Sequence, residues 1–312
     1  MRRLAPLLSI AFLADPAATQ SARGAFTVAE TGRSFARLQE AVDAIGDGAG
    51  TIRIAPGTHR DCAVQERGRV TFAAMTPGTA VFERTVCEGK AALVLRGRGA
   101  AVRGIVFRHL EVGDGNGAGI RIEKGDLDVS DSMFLDSQSG ILSADDPAAR
   151  ITVDHSTFAG LGKDPTGNGA HGMYIGAYAS LTVTNSRFER GTGGHYLKSR
   201  SPRIEVVGNS FDDTKGRTTN YMIDLPNGAV GRIADNEFVV GANKENYSTL
   251  ITVAPEGVRN GSDGLVVEGN GARLAPGVPF KTTFVGAWTG EAVVVRNNRL
   301  GAGIAERVRR WL

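Results

Sequence analysis

Leu127-Asp-Val-Ser-Asp-Ser-Met-Phe134 is answered by Ile151-Thr-Val-Asp-His-Ser-Thr-Phe158 and Leu181-Thr-Val-Thr-Asn-Ser-Arg-Phe188, then by Ile204-Glu-Val-Val-Gly-Asn-Ser-Phe211 and Gly231-Arg-Ile-Ala-Asp-Asn-Glu-Phe238. Each copy opens on apolar residues at alternate positions, passes a small polar residue, and closes on Phe. Phe107 ends an earlier copy, and Arg296-Asn-Asn-Arg-Leu300 is a late copy ending on Leu. The Phe positions 107, 134, 158, 188, 211 and 238 step by 27, 24, 30, 23 and 27 residues. A unit of about two dozen residues with period-2 alternation marks a solenoid of short strands. Helical repeats would need a period of about 3.6, and the Leu/Asn consensus of leucine-rich repeats is absent. Parallel strands stacked about 4.8 Å apart remain: an all-β, single-stranded parallel β-helix of about nine to ten coils.

In this arrangement the Phe residues form an internal ladder. Ser132, Ser156, Ser186, Asn209, Asn236 and Asn298 each stand two positions before the closing residue. Such a column turns the chain and pairs along the stack. Cys62 and Cys87 lie 25 residues apart, about one coil, which sets them on adjacent rungs where a disulfide can form. Open solenoid ends expose strand edges, so caps are expected. The segment from Ser34 to Ile45 fits an amphipathic helix with Ser34 as N-cap and Phe35, Leu38, Val42 and Ile45 on one stripe. Ala302 to Leu312 reads as a short C-terminal helix.

The 312 residues include 42 glycines against 11 prolines, consistent with many turns. A hydrophobic content of 41% excludes a disordered chain, and a net charge of +3 gives no electrostatic case for a nucleic-acid partner. Arg2 and Arg3 precede the apolar run Leu4 to Ala14, followed by Ala17, Ala18, Ser21 and Ala22. That order reads as a secretory signal over residues 1–22, leaving residues 23–312 as one domain. No segment reads as a membrane span.

The run Thr51-Ile-Arg-Ile-Ala-Pro-Gly-Thr-His-Arg-Asp61 after a helix, leading into stacked Asn/Ser-x-Phe coils, resembles the right-handed parallel β-helix superfamily of pectate lyases over about residues 26 to 312. Gly193-Gly-His-Tyr-Leu-Lys-Ser-Arg200 and Asn220-Tyr-Met-Ile-Asp-Leu-Pro-Asn-Gly228 are similar to segments of exported bacterial β-helix repeat proteins without an assigned activity. The resemblance implies a right-handed coil and a periplasmic or secreted bacterial protein. It names no substrate.

Candidate chemistry falls on three successive coils. They begin at His171, His195 and Tyr221. Aligned this way, Met173, Leu197 and Ile223 point inward, so Tyr174, Lys198 and Asp224 point outward. Counting back from the Phe anchors supports this register, at 14, 13 and 14 residues before Phe188, Phe211 and Phe238. Arg200 lies on the face of Lys198. Tyr196 and Asn227 flank the cluster, and Arg121 sits on the corresponding face upstream.

Eliminating a uronic-acid glycan needs a cation on the C6 carboxylate, a base for the C5 proton and an acid for the departing O4. Arg200 suits the carboxylate because its fork grips both oxygens. Lys198 is a candidate base if its neighbours and burial lower its pKa. The resemblance admits this role, since β-helix lyases commonly use a Lys or Arg base. Tyr174, His195 and His171 are further acid–base candidates. Asp224, Tyr221, Tyr196, Arg121 and Asn227 are candidate substrate contacts. Asp224 either orients Lys198 or binds a Ca²⁺ ion. No cofactor besides Ca²⁺ and no other metal site is indicated, and a monomer is expected. Lys198 beside Asp224 also reads as a plain cross-strand ion pair. The expectation is an exported polysaccharide lyase acting on an acidic polysaccharide or oligosaccharide. Its alternatives are a non-catalytic polysaccharide-binding protein, a uronate C5-epimerase and a glycoside hydrolase.

Overall fold

Alternation at period 2 yields strands of two to nine residues, and three of them close each coil. In this computed structural model residues 24–309 are described, except 165 and 167–169. The signal expected over 1–22 lies outside the described residues. The chain winds into a parallel β-helix of about nine turns. Every coil gives one strand to each of three sheets, of twelve, ten and ten strands. Among the described residues inter-coil pairing is parallel throughout. Only at the N-terminal edge do Phe26–Val28 and Arg33–Phe35 add antiparallel strands ahead of Ala49–Ile54.

The Phe ladder forms in register. Phe82, Phe107, Phe134, Phe158, Phe188, Phe211 and Phe238 occupy one position on successive strands. From Phe107 to Phe238 neighbouring rings stack 4.7 to 5.1 Å apart. Two residues earlier runs the polar ladder. Asn209 Nδ2 donates to Asn236 Oδ1 at 3.0 Å, Asn236 to Asn270 at 2.9 Å, and Asn270 to Asn298 at 2.9 Å. Asn270 is a rung the Phe pattern hides, because Ala272 stands where Phe is expected. The residue before each rung turns the corner in the left-handed region. Asp131, His155, Asn185, Asp235 and Asn297 adopt φ of 45° to 55° there, which short polar side chains tolerate best. Cys62 and Cys87 form the disulfide, just ahead of the paired strands Ala63–Gln65 and Ala91–Leu95.

Both terminal helices depart from expectation. Ser34 lies in a strand, its hydroxyl 2.8 Å from that of Thr27. The helix spans Leu38–Ile45 with Arg37 as N-cap. Its first N–H groups find other carboxylates: the Arg37 N–H donates to Glu40 and the Leu38 N–H to Asp61. Leu38, Ala41 and Val42 bury in the main core. At the other end there is no helix among the described residues. Ile304–Arg309 is a strand in parallel register with Thr282–Ala287. The unpaired edge of that strand offers a full row of backbone partners, which outweighs the local preference of Ala305, Glu306 and Arg307 for helix.

Candidate functional site

Strands Met173–Ile175, Leu197–Ser199 and Ile223–Leu225 pair as the alignment requires, with Tyr174 opposite Lys198 and Lys198 opposite Asp224. Met173, Leu197 and Ile223 are fully buried beneath them. The column continues to Thr252 downstream and to Leu142 and Arg121 upstream.

Although this column faces away from the core, it is covered. Asp224 is 2% exposed and the Lys198 side chain 11%. The cover is the segment following strand Thr249–Val253. Its backbone is tied down, with the Glu256 N–H donating to Pro226 O at 2.9 Å and the Arg259 and Asn260 N–H groups both donating to Asn227 O. Asn260 Nδ2 reaches the Arg200 carbonyl at 3.2 Å. The Glu256 carboxylate therefore arrives over the cluster from outside the column.

Lys198 Nζ lies 3.2 Å from Asp224 Oδ2 and 2.6 Å from Glu256 Oε1. Arg200 is held at three points: Nε donates to the Tyr174 oxygen at 2.8 Å, Nη1 to Asn227 Oδ1 at 2.7 Å, and Nη2 to Glu256 Oε2 at 2.6 Å. Thr252 donates to Asp224 Oδ1 at 2.6 Å. One carboxylate thus spans two cations, each through its own oxygen.

Alongside runs an aromatic column. The His171 and His195 rings are 4.9 Å apart and those of His195 and Tyr221 5.5 Å. The His195 backbone N–H donates to His171 Nδ1 at 3.1 Å, which assigns the His171 proton to Nε2. His195 Nδ1 is 3.2 Å from the same atom, so His195 carries its proton on Nδ1. That leaves its Nε2 lone pair 3.6 Å from Asp224 Oδ2. Burial pushes both imidazoles down to about 3, assisted by the Lys198 charge. Both rings are neutral at pH 7.

Charge balance bears on the role expected of Lys198. Burial alone would lower its pKa, but Asp224 and Glu256 outweigh burial and hold it above the ordinary lysine range. The two carboxylates favour its ammonium form. Burial pushes the Asp224 carboxyl up, against the opposing effects of Lys198 and Thr252. For Glu256 the cost of partial burial is overcome by Lys198 and Arg200, and its pKa falls. A Ca²⁺ ion does not fit between Asp224 and Glu256, because the Lys198 ammonium already bridges them. Among the described residues no group of three or more His, Cys, Asp or Glu side chains could hold a metal ion.

Two expected contacts move elsewhere. Tyr196 points away from the cluster and is buried. Its hydroxyl donates to Asp213 at 2.7 Å and accepts the Gly191 N–H at 3.0 Å. Asp213 also takes Thr219 and Lys244, so this network fastens the loops beside the site. Arg121 shares the column but is separated from Tyr174 by Leu142. It lies 3.6 Å from Glu123, which Arg96 and Lys90 also hold. Tyr221 stays beside His195, with Asn246 Nδ2 donating to its hydroxyl at 2.7 Å. Next to the His column a depression of about 390 Å³ is lined by Gly162, Thr192, Gly194, Thr218 and Glu245 among others.

Glu256, Thr252 and Asn260 were not found from the sequence. Thr252 is the next rung of the column, and counting one coil beyond Asp224 would have reached it. Glu256 lies in an irregular turn with no register to count from.

A parallel solenoid of three sheets with a stacked polar ladder defines the class. Residues 91–300 match the family model of the right-handed β-helix region, and the chain belongs to that family. No curated protein matches it. Among solved structures it is similar to ORF18 of Geobacillus virus E2, at 12% identity and a TM-score of 0.43, over 87% of this chain and 56% of that one. The chain therefore spans just over half the length of that protein.

Proposed function

We propose that this β-helix protein binds an acidic, uronate-containing glycan across coils 171–226 and cleaves it by β-elimination. The observation that carries the reading is the juxtaposition of Arg200, Lys198 and Tyr174. Two cations converge on one face, and Arg200 Nε is bonded to the Tyr174 oxygen. In this reading Arg200 and Lys198 neutralise the C6 carboxylate, which acidifies the C5 proton. His195, neutral with a lone pair on Nε2, takes that proton, and Asp224 at 3.6 Å pairs with the imidazolium formed. Tyr174 gives its proton to O4 as the C4–O4 bond breaks and a C4=C5 double bond forms. Reprotonation at C5 instead would make the same site an epimerase.

Non-catalytic binding of an acidic polysaccharide is the second reading. The mutual saturation of Lys198, Arg200, Asp224 and Glu256 favours it, since no charged group of the four lacks a partner. Hydrolysis is disfavoured, because Lys198 stands between the two carboxylates where a water and a glycosidic oxygen belong. The disulfide supports an exported protein, as such bonds persist in oxidising compartments.

The test follows ultraviolet absorbance of the conjugated double bond over a panel of uronic-acid polysaccharides. Turnover on one of them is expected, and Tyr174→Phe should lower it by roughly 10²–10⁴-fold with binding nearly unchanged. Tight binding without absorbance change would select the second reading.

A further inference from the structure

We infer that Glu256 is the resident occupant of a carboxylate subsite, and that a carboxylated sugar binds this protein by taking its place. The inference rests on the acidic-glycan reading and adds which atoms read the ligand and what competes with it. The Glu256 oxygens divide between Lys198 Nζ and Arg200 Nη2, both at 2.6 Å. A planar carboxylate is thereby held by two cations from one strand face, the geometry a uronate C6 group would need. Arg200 is held for the task by Tyr174 and Asn227 in addition to Glu256. Lys198 likewise keeps Asp224.

Glu256 itself is poised to leave. Its side chain is 43% exposed, and only its carboxylate is engaged. Its backbone is fastened by the hydrogen bond to Pro226 O, so no loop opening is required. Rotation of one flexible side chain into water frees both cations. A ligand that restores two charge-assisted bonds then exchanges like for like, whereas a neutral sugar cannot compensate for the two that break. The resident carboxylate thus acts as a filter against uncharged glycans.

Glu256→Gln removes the charge and keeps the size, and its effect on binding is read by calorimetry with oligouronates and with the same oligomers carboxyl-reduced. Oligouronate affinity is expected to rise on the order of tenfold, about 1.4 kcal/mol, and discrimination against the reduced oligomers to shrink. A second measurement needs no glycan. In Glu256→Ala, propionate should raise the melting temperature saturably, while wild type and Glu256→Ala/Arg200→Met should not respond. If wild type binds oligouronates but Glu256→Gln binds them no more tightly, and propionate does not stabilise Glu256→Ala, the subsite is overturned and the acidic-glycan reading stands. If propionate fills the vacated fork while no oligouronate binds either protein, the glycan reading falls and a carboxylate subsite for another ligand remains. Binding of oligouronates without turnover would leave the subsite intact and remove only the lyase chemistry.

Discussion

Two columns of side chains run along the middle coils of this solenoid, and they follow opposite rules. At the corner, Ser132, Ser156, Ser186, Asn209, Asn236, Asn270 and Asn298 repeat one pattern, each accepting from the rung before it and donating to a nearby backbone carbonyl. An amide can accept from the rung on one side and donate to the rung on the other without limit. On the outward face, Arg121, Leu142, Tyr174, Lys198, Asp224 and Thr252 change chemistry at every rung. Asp224 bonds its neighbours Lys198 and Thr252, and other partners come from outside the column: Glu256 for Lys198, Arg200 for Tyr174 and His195 beside Asp224. Stacking at strand spacing favours sameness for amides and forbids it for like charges. The repeated column is therefore explained by the fold. The varied one is not required by it, and that difference is the strongest internal argument that the outward column serves a ligand.

If so, the two columns should break differently. Lys198→Met is expected to have the largest effect, about 3–5 kcal/mol at neutral pH, because it strands the buried Asp224 carboxylate with Thr252 as its remaining donor. The loss is pH-dependent with a definite sign. Without Lys198 the folded pKa of Asp224 rises further above its unfolded value. Stability associated with the protonated form is then fully present below the unfolded pKa and lost as pH rises through the folded one. Chemical denaturation at pH 4 and pH 7 should show a smaller gap from wild type at the lower pH. A pH-independent deficit would mean that packing, not charge, is what Lys198 supplies.

Asn236→Ala should cost less, about 1–3 kcal/mol, through the unmet Asn209 N–H and Val206 carbonyl. It should leave glycan binding untouched, since the corner column faces inward. Weakened binding in a variant that still unfolds cooperatively would erase the distinction between the columns.

What the sequence disclosed follows the same division. The Phe and Ser/Asn ladders were legible because identity itself repeats, and they fixed the register that set Tyr174, Lys198 and Asp224 in line. Asn270 escaped because Ala272 interrupts the Phe series. The terminal helices were misread because strand pairing at a free edge is not a local property of Ser34 or of Ile304. The second carboxylate of Lys198, Glu256, could not be foreseen because it belongs to an irregular turn. Tyr196 was counted as a ligand contact although its hydroxyl closes a buried network with Asp213, Thr219 and Lys244, none of which is near it in sequence.

Arg121 sharpens the comparison at its smallest effect. It lies on the outward column yet is cut off from Tyr174 by Leu142, and its charge lies against Glu123 in a separate ionic cluster. Arg121→Ala should change stability by no more than about 0.5 kcal/mol, as for a partly exposed pair within a network that keeps Arg96 and Lys90. Oligouronate affinity should stay within about twofold of wild type, since the salt-dependent attraction of one distant cation is largely screened. An affinity loss comparable to that of Arg200→Met would show that the ligand crosses the apolar rung at Leu142. The binding face would then extend over the upstream coils past the buried Leu142, and the break in chemistry at that rung would not be the edge of the site.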